Sequence, residues 1–406
     1  MTETQTTTRL AIEGGSPVRT TSFPAWPVFG DRERDLLNEV LESGHWGEIT
    51  GDVTKTFARQ FAAFQSARHA VCVPNGTLAL ELALETLGLG PGDEVITSAW
   101  TFIATAGAAL TMGVRPIFVD IDPATNLIDP NAIERAITPK TRAIMPVHIG
   151  GQPTDLDAVM EIGVRHGIPV LEDACQAWGA AWRGTPVGAI GAMGAFSFQA
   201  SKNINAGEGG AVVTNDLALF DLAWQIHDTG RSPEGGTFEH EIPGRNLRMT
   251  EWQGAILTAQ LERLPEAMDR RGRSAGRLMD GLGEIPGLTP TKIDSRVTRH
   301  AWHLFQMRYD PLAFGGRSRA EFMSALQAEG VPCMPGYRPL PAQKAIRNAL
   351  TARFGASALD RQAPIPHAEQ AGEDTVWLEQ TLLLGSDDDI DDALAACRKI
   401  HCAWSE

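Results

Sequence analysis

Gly194-Ala-Phe-Ser-Phe-Gln-Ala-Ser-Lys202, followed by Gly207-Glu-Gly-Gly-Ala-Val-Val-Thr214, is the stretch on which both fold and chemistry turn. Short apolar runs bounded by glycine read as buried strands, and here two of them flank a polar return carrying a lysine. The chain has only six lysines (Lys55, Lys140, Lys202, Lys292, Lys344 and Lys399), so Lys202 is not background surface charge. A lysine amine becomes a nucleophile or Schiff-base partner when its surroundings lower its pKa and an aldehyde stands beside it. Pyridoxal phosphate is the cofactor to which this placement points.

Outward from that stretch, from about Val71 to Asn215, short apolar runs alternate with amphipathic helix patterns. That rhythm predicts parallel strands joined by crossover helices, an α/β core. The strand-like pieces begin at Ala70, Glu94, Pro116, Ala143, Pro169, Gly194 and Gly210. Thr77 to Leu87 is predicted as a helix with Asn75-Gly76 in the turn before it, and Leu261 to Leu282 as a long connecting helix. Beyond it, a strand over Ala301–Tyr309, a helix over Ser318–Glu329 and a last helix from Asp387, capped by Ser386, suggest a small α+β domain. The expected division is an N-terminal arm over 1–30, a large cofactor-binding domain over 31–265, and the connecting helix with the small domain over 266–406.

Composition narrows the function classes. A length of 406 residues suggests more than one domain, and the hydrophobic and charged fractions of 43% and 21% are those of an ordinary globular chain. A net charge of −15 argues against nucleic acid as partner, since phosphate-backbone binding needs clustered Lys and Arg. Five cysteines, an odd number without metal-ligand spacing, suit free thiols in a reducing compartment. With a polar start and no long apolar run, the expectation is a cytoplasmic protein without membrane or metal partners. The acidic run Asp387-Asp-Asp-Ile-Asp-Asp392 lacks calcium-loop spacing and reads as carboxylates in a first helical turn.

The electron-accepting ring of pyridoxal phosphate needs a carboxylate at its pyridine nitrogen. Asp173 ends the apolar run Ile168-Pro-Val-Leu-Glu-Asp173, at a strand's carboxyl end, where open α/β sheets place ligands. Gln176 would lie one turn further along the same face, near the cofactor's phenolic oxygen. Gly76 and Thr77 open a helix whose dipole and free N–H groups favour a phosphate, and Ser197 can add a hydroxyl. Phe102 could stack on the cofactor ring, with Trp100 as its rival. Cys175 has no basic neighbour in the sequence to activate it and reads as a packed thiol.

The segments Asn75-Gly-Thr77, Trp100-Thr-Phe-Ile-Ala-Thr105, Glu172-Asp-Ala-Cys-Gln176, Phe196-Ser-Phe-Gln-Ala-Ser-Lys202, Gly207-Glu-Gly-Gly210 and Asn246-Leu-Arg-Met-Thr-Glu251 together resemble the DegT/DnrJ-type sugar aminotransferases. The resemblance implies a fold-type I pyridoxal phosphate enzyme, a homodimer with active sites at the subunit interface. It implies that Lys202 is the Schiff-base lysine, that Asp173 pairs with the pyridinium, that Gln176 faces the phenolic oxygen and that Phe102 stacks on the ring. Gly76, Thr77 and Ser197 would hold the phosphate, and Asn246 would reach it from the neighbouring subunit. The reaction implied is ping-pong transfer of an amino group from an amino acid, glutamine or glutamate, to a keto acceptor. Related dehydratases of the family carry histidine in place of the lysine, so Lys202 favours amino transfer.

Phe23-Pro-Ala-Trp-Pro27, the stretch from Arg308 to Gly316 and Gly336-Tyr-Arg-Pro-Leu340 look most like the branch acting on inosose-type cyclitols in aminoglycoside pathways. The alternatives are an enzyme like 3-amino-5-hydroxybenzoate synthase and a nucleotide-sugar aminotransferase. Tyr337, Arg338, His148 and His303 are the candidates for substrate contacts. A nicotinamide-dependent oxidoreductase would share the sheet. However, Gly188, Gly191 and Gly194 are spaced GxxGxxG, and they precede a strand instead of opening a helix.

Overall fold

Runs of β-branched and apolar residues form the strands β1 (His69–Val73), β2 (Glu94–Ser98), β3 (Arg115–Val119), β4 (Thr141–Met145), β5 (Leu171–Asp173), β8 (Met193–Ser197) and β9 (Gly210–Thr214). The short β6 (Ala181–Trp182) and β7 (Thr185–Pro186) fill the gap between β5 and β8. This computed structural model describes residues 9–232, 238–360 and 362–405, so residues 1–8 of the expected arm lie outside the described residues. Parallel bridges Ile144↔Val170 and Val147↔Asp173 join the strands into one sheet, ordered β1-β9-β8-β5-β4-β2-β3.

Every neighbouring pair from β8 to β3 is parallel, whereas β9 pairs antiparallel with both β8 and β1. The expected mostly parallel sheet is found, with β9 as its antiparallel member. A parallel neighbour needs a crossover, usually a helix, and residues 198–209 contain none. They fold back directly, with the Phe198 and Ala200 N–H groups donating to Gly209 and Gly207 carbonyls at 2.7 and 2.9 Å. Lys202 sits in this tight return.

Helices α3 (Gly76–Thr86), α4 (Ile103–Thr111), α5 (Pro130–Ala136) and α6 (Leu156–His166) follow β1 to β4 in turn, after α1 (Asp31–Ser43) and α2 (Val53–Phe64) and ahead of α7 (Leu217–His227). They bury the sheet on both faces. Val71, Val73, Leu80, Leu84 and Val212 pack on one side, and Ile96, Ile117, Ile144, Val159 and Val170 on the other. Near the lysine return, Phe61 meets Phe196 and Phe198 edge-on, with ring centroids 5.0 and 5.1 Å apart. Such pairs add about 0.5–1.5 kcal/mol each beyond their area.

The connecting helix starts earlier than expected: α8 runs unbroken from Glu251 to Gly283 with Pro265 inside it. Thr250 caps it, its N–H donating to Gln253 Oε1 at 3.0 Å. Buried Leu257, Leu261, Leu264 and Met268 hold the helix together across the proline, because tertiary packing outweighs local propensity. We propose that the chain divides within this helix, since its later residues Ala275, Leu278 and Leu282 belong to a different core.

That second core surrounds an antiparallel sheet of β10 (Leu288–Pro290), β12 (Leu304–Tyr309), β14 (Thr375–Glu379) and β13 (Met334–Pro335); β11 (Val297–Arg299) pairs instead with β6. Helices α9 (Arg319–Ala328) and α13 (Asp387–Trp404) cover the sheet. Ser386 caps α13 as expected, accepting from the Asp389 N–H at 3.2 Å. Leu10 is buried in this core and Val18 and Phe23 pack on it, so the described part of the arm is tied down. Residues of α10 (Lys344–Phe354) and α12 (Pro366–Asp374), on either side of the short α11 (Ser357–Asp360), pack with Leu340 against Trp100, Leu110, Phe118 and Val147 of the larger sheet. They wall in the carboxyl end of that sheet.

Gly210 shows how tightly that end is built, since a Cβ there would lie 2.5 Å from the Asn75 carbonyl. Gly210→Ala should force β9 and the start of α3 apart and cost about 1–3 kcal/mol, read as a lowered midpoint in urea unfolding. An unchanged midpoint would mean that the close approach carries no constraint.

Candidate active site

A cavity of about 890 Å³ opens at the carboxyl ends of the parallel strands, where ligands bind in α/β sheets. The structure brings Gly76, Thr77, Phe102, Asp173, Gln176 and Ser197 to its walls together with Lys202, His303 and Tyr337. Each comes from a different local device.

Lys202 is held by the return between β8 and β9, its N–H donating to the Gln199 carbonyl at 2.8 Å. Burial pushes the ammonium below its ordinary value, opposed by the nearby Cys175 and Asp173. Asp173 ends β5 and is buried. Its Oδ2 accepts from Thr105 Oγ1 at 2.8 Å and its Oδ1 from the Cys175 N–H at 3.2 Å. Thr105 lies in the first turn of α4, so one helix start orients the carboxylate. The Cys175 thiol is pushed well up by burial, which leaves it unreactive as expected.

No helix follows Asp173, contrary to the expected one-turn spacing to Gln176; the segment turns irregularly towards β6. Gln176 still reaches the cavity. Its Oε1 accepts from the Gly150 N–H at 2.7 Å and its Nε2 donates to Tyr337 Oη at 3.1 Å. Burial raises the Tyr337 hydroxyl to about 12, so it stays protonated at neutral pH. Phe102 caps α4 and is 52% exposed with its ring at the cavity. Its rival Trp100 is fully buried, its Nε1 donating to the Tyr337 carbonyl at 2.6 Å, so the free ring belongs to Phe102.

The start of α3 faces the same space. Asn75 Oδ1 accepts from the Leu78 N–H at 2.9 Å, which leaves the Gly76 and Thr77 N–H groups without partners inside the helix. A Cβ on Gly76 would lie 2.6 Å from Ser197 Cβ, so the helix start and the β8 end are in contact. Two amides, a threonine and a serine hydroxyl converge there. That is the donor set an anion such as a phosphate takes.

Three expected residues lie elsewhere. His148 is fully buried off the cavity, its Nδ1 accepting from the Thr154 N–H at 3.1 Å and its Nε2 donating to Glu172 Oε2 at 3.0 Å. This corrects it from substrate contact to a buried partner of Glu172. Arg338 is exposed and does not line the cavity; its carbonyl accepts from Gln343 Nε2 at 3.2 Å. Asn246 is exposed too and does not reach the cavity of its own chain.

The glycine-rich run that resembles a nucleotide loop has a protein ligand. Glu172 accepts from the N–H groups of Gly188, Ile190 and Gly191 at 2.7, 2.9 and 2.6 Å. Several other wall residues were not foreseen. Trp26 reaches across from the arm with Nε1 donating to the Ala200 carbonyl at 2.9 Å, and Gln380 joins the wall with its N–H on the His303 carbonyl, while Trp178 and Asn203 lie behind the wall against Lys202 and His303. Contacts that far apart in sequence leave no local pattern. Among the described residues, no helix is long and apolar enough to cross a membrane and no cluster of side chains could hold a metal.

The class is thereby set: an α/β, fold-type I transferase with a large, mostly parallel sheet and a smaller C-terminal α+β domain. The chain belongs to the DegT/DnrJ/EryC1/StrS aminotransferase family, whose model matches residues 27–396, and it is an aminotransferase. Aminotransferases of this family are pyridoxal phosphate-dependent and take an amino donor and a keto acceptor. Among its relatives, an L-glutamine:2-deoxy-scyllo-inosose aminotransferase of Micromonospora echinospora is 38% identical, over 98% of this chain and 99% of its own. A crystal structure of 3-amino-5-hydroxybenzoic acid synthase matches with a TM-score of 0.86 at 36% identity, over 95% of this chain and 99% of that one. NtdA from Bacillus subtilis, with bound cofactor PMP, matches with a TM-score of 0.81 at 27% identity, over 95% and 86%.

Burial of Lys202 has a thermodynamic consequence. Because its folded pKa lies below the ordinary 10.5, the folded chain binds this proton less well than the unfolded chain, so stability is lost as pH falls below 10.5. Lys202→Met should therefore raise the melting temperature of cofactor-free protein at pH 7, with the gain shrinking as pH approaches 10.5. A gain independent of pH would show that the amine is not strained by burial.

Proposed function

We propose that this aminotransferase uses pyridoxal phosphate to move an amino group from glutamine or glutamate to a keto cyclitol or keto sugar. The setting would be cytoplasmic biosynthesis of an aminoglycoside or another secondary metabolite. The observation that carries the proposal is the half-buried Lys202 amine, its pKa lowered, in one cavity with the Asp173 carboxylate and the free start of α3. These residues fit the cofactor: an amine for its aldehyde, a carboxylate for its ring nitrogen, and amides and hydroxyls for its phosphate. When bound, it supplies an aldehyde that exchanges amines and a ring that accepts electrons.

The placement of the chain's own groups supports a role for each. With the cofactor bound, Asp173, oriented by Thr105, would hold positive charge at the ring nitrogen, Phe102 would stack on the ring, and Gly76, Thr77 and Ser197 would bind the phosphate. Gln176 Nε2 has a second N–H to offer the phenolic oxygen. Lys202 Nζ would carry a proton between the amine-bearing carbon of donor or acceptor and the cofactor's aldehyde carbon, acting as general base and then acid. Tyr337 and His303 close the side towards the acceptor. The exposure of Asn246, away from its own cavity, supports a homodimer in which it reaches the partner's phosphate.

For the acceptor we favour a keto cyclitol, because the relative from Micromonospora echinospora, named for a deoxy-inosose, matches over almost the whole chain. The second reading, an enzyme like 3-amino-5-hydroxybenzoate synthase, draws on the structural match and implies an aromatic amine as product.

Purified protein incubated with glutamine and a panel of keto cyclitols and nucleotide keto sugars should aminate a cyclitol, followed by mass spectrometry of the products. Amination of nucleotide sugars alone would overturn the branch assignment. In the same assay Lys202→Ala should lose about 10²–10⁴-fold or more in turnover, and full turnover would refute the proton role.

A further inference from the structure

Beside Lys202 the chain builds a hydrogen-bonded relay whose polarity can be read atom by atom. Asn203 Nδ2 donates to the Ala301 carbonyl at 2.7 Å, and Asn203 Oδ1 lies 3.0 Å from His303 Nδ1. The opposite amide orientation would set two oxygens 2.7 Å apart, so Oδ1 must face the imidazole and accept. His303 Nδ1 therefore carries the proton and Nε2 is bare. Nε2 lies 3.4 Å from Lys202 Nζ. The imidazole cannot swing away, because the Trp178 ring meets it edge-on at 5.6 Å and Trp178 is itself tied through Nε1 to the Ser197 carbonyl at 3.1 Å.

We propose that His303, set in one tautomer by Asn203, is a positioning residue for Lys202: its bare Nε2 accepts an N–H of the free amine and so turns the lysine lone pair into the cavity. This deepens the proposed function and rests on Lys202 being the reacting amine. An unanchored lysine side chain has free rotation about its last bonds, and fixing one N–H removes that freedom. The neutral imidazole can play this part across the working range because burial holds its pKa far down, helped by the positive charges of Lys202 and of Arg271 on α8. Around Nζ the other titratable neighbours are Asp173, at the end of β5, and Cys175, in the turn after it. Both His303 and Asn203 are buried, so the relay meets solvent only at the cavity wall.

The test compares His303→Gln, whose Oε1 can stand where Nε2 stood, with His303→Phe, which keeps a ring against Trp178 but offers no acceptor. The readout is the pH dependence of competitive acylation of Lys202, located by mass spectrometry in protein loaded with PMP, where the amine is free. His303→Phe should lower the Lys202 pKa by about one unit, because an acceptor stabilises the charged amine, and H303Q should restore it. Turnover should fall about tenfold in kcat with KM little changed, and the acid limb of the pH profile should move with the amine. An unchanged Lys202 pKa in H303F would overturn the proposal. Should H303F not fold, the ¹⁵N shifts of the wild-type ring decide: a protonated Nδ1 with a bare Nε2 supports the relay, and a protonated Nε2 overturns it. The acylation measurement does not depend on which acceptor is used, nor on catalysis at all. A failed substrate screen with an intact His303 effect would thus sink the function and not the relay.

Discussion

An amine drawn partly out of water, at the wall of the cavity, is the constraint from which the rest of this structure follows. Burial destabilises the Lys202 ammonium, and a charged lysine in such a place persists only beside compensating groups. Asp173 supplies one opposite charge, and the bare nitrogen of His303 one acceptor. Holding the amine there requires a rigid return between β8 and β9, which the aromatic cluster of Phe57, Phe61, Phe196 and Phe198 anchors from below. The antiparallel turn of β9 is the topological counterpart, since a crossover helix would have carried the lysine away from the sheet end.

A second buried charge holds the neighbouring strand end. Glu172, adjacent to Asp173, points away from the cavity and gathers three backbone amides and His148. A carboxylate satisfied this completely is stable where an unpaired one would not be. It pins the loop between β7 and β8 beneath β5, and so fixes the direction in which Asp173 faces. Two adjacent acidic residues thus face opposite ways, Glu172 into the architecture and Asp173 into the cavity.

Much of this was legible in the amino-acid sequence for physical reasons. Strands buried on both faces are continuous apolar runs, and glycines mark their ends, so the sheet and the strand-end positions of Asp173 and Ser197 could be seen. Lys202 stood out by rarity and position. The direction of β9 was hidden, because a strand buried on both faces has the same pattern either way round. The missing helix after Asp173 was hidden as well: Ala174 to Trp178 has helical composition, yet the Ala174 N–H is claimed by the Ala195 carbonyl and that of Gly179, just beyond, by Gln65 Oε1. Thr105, Asn203 and the inward turn of His148 depend on partners distant in sequence, which no local spacing reveals.

Hydride reduction of the protein loaded with pyridoxal phosphate, followed by peptide mass spectrometry, examines the buried amine most directly. The account expects the reduced cofactor on the peptide carrying Lys202, at Nζ and nowhere else. A label on any other side chain, or none on folded and loaded protein, would contradict it.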